Sequence, residues 1–149
     1  LKEHLGKEIY LENLAIGGRC ALDAIQRIST DAFVNEPDLI VIDFGINDAM
    51  RGHSLDSYEE SLQRCVDACR ANRVDVILLA PSIVRASSGP TGWGMTRTYA
   101  TVAKEVAKRN DVLFVDLGAA LAPIGRWNPL WRRAGGRGAD DGRPSGAHF

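Results

Sequence analysis

The sequence predicts an α/β fold: a three-layer α/β/α sandwich around a mostly parallel sheet. Three observations carry this. Short apolar runs alternate with stretches of helical period. Two of the runs, at 39–44 and 74–80, are nearly unbroken Val, Ile and Leu, as in strands covered on both faces. Turn-forming segments follow the runs directly, at the carboxyl ends of strands, where such sheets place their ligand sites.

The elements follow in order. Residues 8–16 read as the first visible strand, and 39–44, 74–80 and 112–117 as the next three. Between them, 21–28 carries Leu22, Ala24, Ile25 and Ile28 at helical spacing. The stretch from Leu55 to Cys69 places Leu55, Tyr58, Leu62, Cys65, Val66 and Cys69 on one stripe. Ser57 and Glu60 form a capping box if that helix starts at Ser57; Ser54 is the alternative cap one turn earlier. A third stripe, Tyr99, Val102, Ala103, Val106 and Ala107, ends near Asn110. The loops selected as site-forming are 17–20, 45–50 and 81–94. The tail after Leu121 is rich in Gly and Arg and reads as irregular.

The bulk numbers suit one compact domain over residues 1–149. Hydrophobic residues make up 45% and charged residues 25%, and the formal net charge is -1. That balance gives no electrostatic case for nucleic acid or an anionic membrane. No apolar run is long enough to span a bilayer. The opening Leu1-Lys-Glu-His-Leu5 lacks the apolar core of a signal peptide, and the compartment stays open. Cys20, Cys65 and Cys69 form no disulfide framework. Cys65 and Cys69 share a helix face, but no second ligand pair accompanies them, so they read as small buried side chains. No cofactor and no metal are expected.

Two segments carry the candidate chemistry. In Gly45-Ile-Asn47-Asp48, an Asn stands just after a buried strand. Its amide can donate a hydrogen bond into a cleft without adding charge, which suits an oxyanion hole. The plainer alternative is an Asn or Asp capping the next turn. In Asn13-Leu-Ala-Ile-Gly17-Gly18-Arg-Cys20, two glycines allow a sharp turn and bring backbone N–H groups close to a ligand. Alone, this is an ordinary strand-to-helix turn. Neither the dinucleotide fingerprint nor the Walker pattern is present.

Taken together, the order and separation of the two segments resemble the SGNH (GDSL-like lipase/esterase) hydrolase superfamily. The run from Pro37 to Asp48 and the run Asp111-Val-Leu-Phe-Val-Asp116-Leu are also similar to that family, and the likeness covers nearly the whole chain. It implies a flavodoxin-like sheet and an ester hydrolase acting on acyl or acetyl esters of carbohydrate or lipid. A Ser would attack the carbonyl, a His would take its proton, and an Asp would orient the His. The resemblance assigns the oxyanion donors to Gly18 and Asn47. The expected partner is a small-molecule or glycan ester; oligomeric state is left open.

Two departures stand out. The family's Gly-Asp-Ser turn is absent, and Leu1–Gly6 resembles the helix that follows it, so the first strand is expected to be missing and activity impaired. The family's closing Asp-x-x-His-Pro matches Asp140-Asp141-Gly-Arg143-Pro. Asp140 takes the acid position, or Asp141 if one residue is missing, while Arg143 stands where the base belongs. A guanidinium stays protonated and cannot accept a proton from Ser. His148 is the remaining candidate base, with a solvated terminal His as the alternative. These changes also allow a noncatalytic binding module that keeps the cleft but not the triad. An unrelated flavodoxin-like domain is a third alternative.

Other residues have plainer readings. Ser82, Ser87 and Ser88 lie on the 81–94 loop but in no nucleophile elbow. Ser145 neighbours His148 in sequence without a strand-turn-helix setting. Cys20 starts a helix, where a thiolate is favoured, yet reads better as a small helix-start residue. His53 is expected at the surface or the cleft rim. Trp93, Trp127 and Trp131 suit core or rim packing.

Overall fold

The computed structural model describes residues 6, 8–81 and 90–117, with side chains described except at 90–95. The chain divides into two compact units, Leu1–Gly118 and Ala119–Phe149, and every described residue belongs to the first.

Three strands form: β1 (Leu39–Ile42), β2 (Asp75–Leu79) and β3 (Leu113–Val115). They pair in parallel in the order β1-β2-β3, with Ile40 opposite Val76 and Leu78 opposite Phe114. Each lies within an expected apolar run. Four helices accompany them: α1 (Ala21–Arg27), α2 (Ile46–Arg51), α3 (Leu55–Ala71) and α4 (Pro90–Arg109). A π-helical turn at Ile28–Ala32 and a 3-10 turn at Phe33–Asn35 lead from α1 towards β1. Parallel neighbours joined through helices make this the α/β architecture expected.

The core forms where the periodic stripes meet the sheet. Tyr58, Leu62, Cys65, Val66 and Cys69 of α3 are buried against Ile42, Val76 and Leu78. Tyr99, Ala103, Val106 and Ala107 of α4 complete the cluster, and the Tyr58 and Tyr99 rings sit 5.0 Å apart in a tilted pair. Cys65 and Cys69 fill this core as expected. Burial pushes their thiols up, to about 12 and about 11, so both stay protonated as apolar filler. Asn110, just past α4, is buried and donates to Gln63 Oε1 at 2.7 Å and to the Val106 carbonyl at 2.8 Å.

Three expectations are corrected. Residues 8–16 form no strand. Their apolar run pairs with no strand among the described residues, and Tyr10 and Leu11 are both 83% exposed. The run at 39–44 is not buried throughout: Leu39 and Val41 are exposed. The loop expected over 81–94 gives way to α4 at Pro90, where proline's fixed φ suits the first helical position.

The start of α3 settles the choice of cap. Ser54 has an extended backbone, and its side chain accepts a hydrogen bond from the Ser57 N–H at 3.2 Å. Ser54→Ala should therefore cost about 1 kcal/mol in a denaturant titration. An unchanged midpoint would show that this bond contributes nothing.

Candidate active site

The site begins at the carboxyl end of β1. Gly45 has φ 123°, a conformation that side chains rarely adopt. A Cβ built there would lie 2.9 Å from both Pro81 Cγ and the Tyr58 hydroxyl. Tyr58 donates to the Phe44 carbonyl at 2.9 Å, which holds the strand end in place. α2 starts at the next residue, so Asn47 and Asp48 sit in its first turn.

Those two side chains reach back to the other candidate segment. Asn47 Nδ2 donates to the Arg19 carbonyl at 2.9 Å. The carboxylate of Asp48, only 1% exposed, accepts from the Ala21 N–H at 3.1 and 3.2 Å. Asp48 thus caps α1, which lies 27 residues earlier, rather than its own helix. A carboxylate at a helix start is favoured by the free N–H groups and the helix dipole. Arg51, one turn further along α2, donates through Nη2 to the Gly18 carbonyl at 2.7 Å.

Three hydrogen-bonding side chains of α2 therefore hold the Gly17–Cys20 turn. Gly18 itself takes φ 81°, and its carbonyl is turned to Arg51. Among the described residues, no acceptor takes the Gly18 N–H. The Asn47 amide has two hydrogens, and one is committed to Arg19. The structure thus brings Gly18 and Asn47 onto adjoining turns, each with donor capacity left. A small hollow of about 80 Å³ opens at Asn47, lined also by Arg19, Asp43, Phe44, Gly45 and Ile46. A larger one, about 300 Å³, lies against α3 and is walled by Asp56, Glu59, Glu60, Gln63, Arg64 and Arg109. Arg109 is ion-paired with Glu59 at 2.8 Å there.

Cys20 is the N-cap of α1 and is 1% exposed. Its thiol is raised, first by burial and then by the nearby Asp48 carboxylate. The helix start does not make it a thiolate, and the small-residue reading holds. Its backbone N–H donates to Asp23 Oδ2 at 2.7 Å, and that bond, helped by Arg19, holds the Asp23 carboxyl below its usual range. His53 is partly exposed, its side chain 36% accessible, and its Nδ1 lies 3.5 Å from Asp48 Oδ1. The Tyr99 hydroxyl donates to its backbone carbonyl.

Sequence reading had missed the parts played by Asp48, Arg51 and His53. Asp48 carried a signal, since it belongs to the Gly-x-Asn-Asp string. His53 carried only its nearness to the Asn47 turn, and Arg51 carried none, because its Gly18 partner is remote in sequence. Asp140, Asp141, Arg143, Ser145 and His148 lie outside the described residues, as do Ser82, Ser87 and Ser88. No helix among the described residues is long and apolar enough to cross a membrane.

A strand-end Gly-x-Asn-Asp turn stitched to an upstream Gly turn on a parallel sheet is the arrangement of an α/β fold of the SGNH kind. The GDSL-like Lipase/Acylhydrolase family model matches residues 1–149, and the chain belongs to that family. An acetylxylan esterase from Geobacillus stearothermophilus is 28% identical over 126 residues, covering 78% of this chain and 58% of the esterase. A crystal structure of an acetylxylan esterase from that organism superposes with a TM-score of 0.65 at 26% identity, over 74% of this chain and 55% of the other. The acetyl xylan esterase AlAXEase shares the fold, with a TM-score of 0.66 at 22% identity over 72% of this chain and 59% of its own. The chain thus spans somewhat over half the length of these relatives.

Proposed function

We propose that this chain is the oxyanion-binding part of an SGNH ester hydrolase acting on acetyl esters of carbohydrates, and that these 149 residues by themselves turn over little ester. The observation that carries the reading is the stitched pair of turns. Asn47, which lines a small hollow, keeps one amide hydrogen free of its bond to Arg19, and the adjoining Gly18 turn is held through its carbonyl, so its N–H is left as a donor. Such preorganised donors stabilise the oxyanion of the tetrahedral intermediate. The acetylxylan esterase relatives support the acetyl-ester substrate class.

The catalytic pair is the weaker half of the site. Catalytic mutants of the Geobacillus esterase were made at a serine, an aspartate and a histidine, the aspartate three positions before the histidine. Applied to this tail, that spacing runs from Asp140 to Arg143. Arg cannot serve as the base, which leaves His148 as the substitute, and no Gly-Asp-Ser turn occurs in these residues. In the full mechanism a Ser hydroxyl attacks the ester carbonyl while a His takes its proton. The oxyanion is then held by Asn47, Gly18 and the serine's own N–H. Collapse expels the sugar hydroxyl, and water releases acetate.

The test is a gain of function. A chimera carries the Gly-Asp-Ser strand and turn of the Geobacillus esterase ahead of Leu1, with Arg143→His. It should hydrolyse p-nitrophenyl acetate, whereas the chain as it stands should not. In the active chimera, Asn47→Ala should lower kcat by about 10²–10³-fold. Equal turnover with and without Asn47 would remove the oxyanion assignment, and ordinary esterase turnover by the chain alone would remove the claim of impairment.

A further inference from the structure

A second constellation lies directly behind the candidate oxyanion donors. Cys20 Sγ, a carboxylate oxygen of Asp48 and a ring nitrogen of His53 all fall within 4.8 Å of one another. Cys20 and Asp48 are each 1% exposed, and His53 is half-buried. The three come from the cap of α1, the first turn of α2 and the turn after α2, so they converge only in the fold.

We propose that Cys20, Asp48 and His53 form a binding site for a zinc-class divalent cation, which clips the start of α1 to α2. The donor set selects the metal. A thiolate, an imidazole and one carboxylate suit a borderline ion such as Zn²⁺, whereas Mg²⁺ and Ca²⁺ require mostly oxygen donors. Three protein ligands leave the fourth tetrahedral position to water, which can enter on the exposed side of His53. Thiolate and carboxylate together carry two negative charges, matching the ion, with the Cys20 proton released on binding.

The ligands are already oriented by their neighbours, as metal ligands usually are. Asp48 is held by the Ala21 N–H through both oxygens, and the His53 backbone is held by the Tyr99 hydroxyl. Arg51 Nη1, 3.6 Å from Cys20 Sγ, is the competing cation. Its other nitrogen is anchored on the Gly18 carbonyl, so the thiolate can turn to a metal without freeing that arm. Zn–ligand bonds of about 2.0–2.3 Å bring donors closer together than 4.8 Å, so His53, on a turn and partly exposed, makes the closing movement. Occupancy would stiffen the two turns that present Gly18 and Asn47.

Cobalt(II) titration of the whole chain tests this without any ester, so it succeeds or fails independently of the hydrolase reading. Bound Co²⁺ should show a near-ultraviolet thiolate charge-transfer band together with visible bands of four-coordinate intensity. Zn²⁺ should abolish them by competition and raise the melting midpoint. Cys20→Ser should remove the charge-transfer band, while the Cys65→Ala/Cys69→Ala variant should keep it. Loss of an outer-sphere partner costs about 10–100-fold in affinity, so His53→Ala, which removes a ligand at a partly exposed position, should weaken binding by about 100-fold or more. No band at saturating Co²⁺, a band that survives Cys20→Ser, or unchanged affinity in a folded His53→Ala protein would each overturn the site.

Discussion

Asp48→Ala should destabilise the Leu1–Gly118 unit by about 3 kcal/mol in a denaturant titration. Asp48 is 1% exposed, and both its oxygens accept from the Ala21 N–H at the start of α1. Removing it leaves that buried N–H without an acceptor, a loss of about 1–3 kcal/mol. It also removes a carboxylate from the positive end of a helix, worth up to about 2 kcal/mol where partly buried. Asp48→Asn keeps one acceptor oxygen and much of the shape, so it should recover part of the loss. That ordering separates the explanations: a pure cavity effect predicts that Asn is nearly harmless, whereas loss of the charge predicts an intermediate cost. If Asp48→Ala were within about 0.5 kcal/mol of the parent, the size of change usual for surface substitutions, Asp48 would not join the two turns energetically. The loosening should also be local. Amide exchange at Gly18–Ala21 should speed up more than at the α3 core around Leu62, because only the former loses its anchor.

The same residue shows how far sequence reading reaches. Periodicity located α3 and α4 because their buried faces are continuous in sequence: Tyr58, Leu62, Cys65, Val66 and Cys69 recur at three and four, and each is buried. Residues 8–16 are likewise a short apolar run, yet no strand forms, since a strand needs a neighbour that local pattern does not supply. The Gly18 and Asn47 segments were visible as turns after apolar runs. That Asp48 caps α1, that Arg51 grips the Gly18 carbonyl and that His53 approaches Asp48 were not visible. Two of these link residues 27 and 33 apart, and no spacing rule covers such distances. For the same reason no metal set was expected. Cys20, Asp48 and His53 match no ligand spacing and converge only once α2 packs against the cap of α1.

Gly45→Ala should have a comparably large effect, and by a different route. At φ 123° an alanine is strained, at a cost of about 1–3 kcal/mol. Its methyl would also sit 2.9 Å from Pro81 Cγ and 2.9 Å from the Tyr58 hydroxyl. Pro81 is part of the chain leaving β2, and Tyr58 is fixed by its bond to the Phe44 carbonyl, so neither yields like the end of a flexible side chain. Overpacking of this kind adds about 1–3 kcal/mol. The total, about 2–6 kcal/mol, is a large part of the stability of a domain this size. Combining Gly45→Ala with Tyr58→Phe separates the two contributions. The phenylalanine removes the hydroxyl clash and the Phe44 bond together, so the double variant should be less destabilised than the sum of the singles. Strict additivity would mean that the Tyr58 hydroxyl does not crowd the added methyl, leaving φ at Gly45 and the Pro81 contact to account for the glycine.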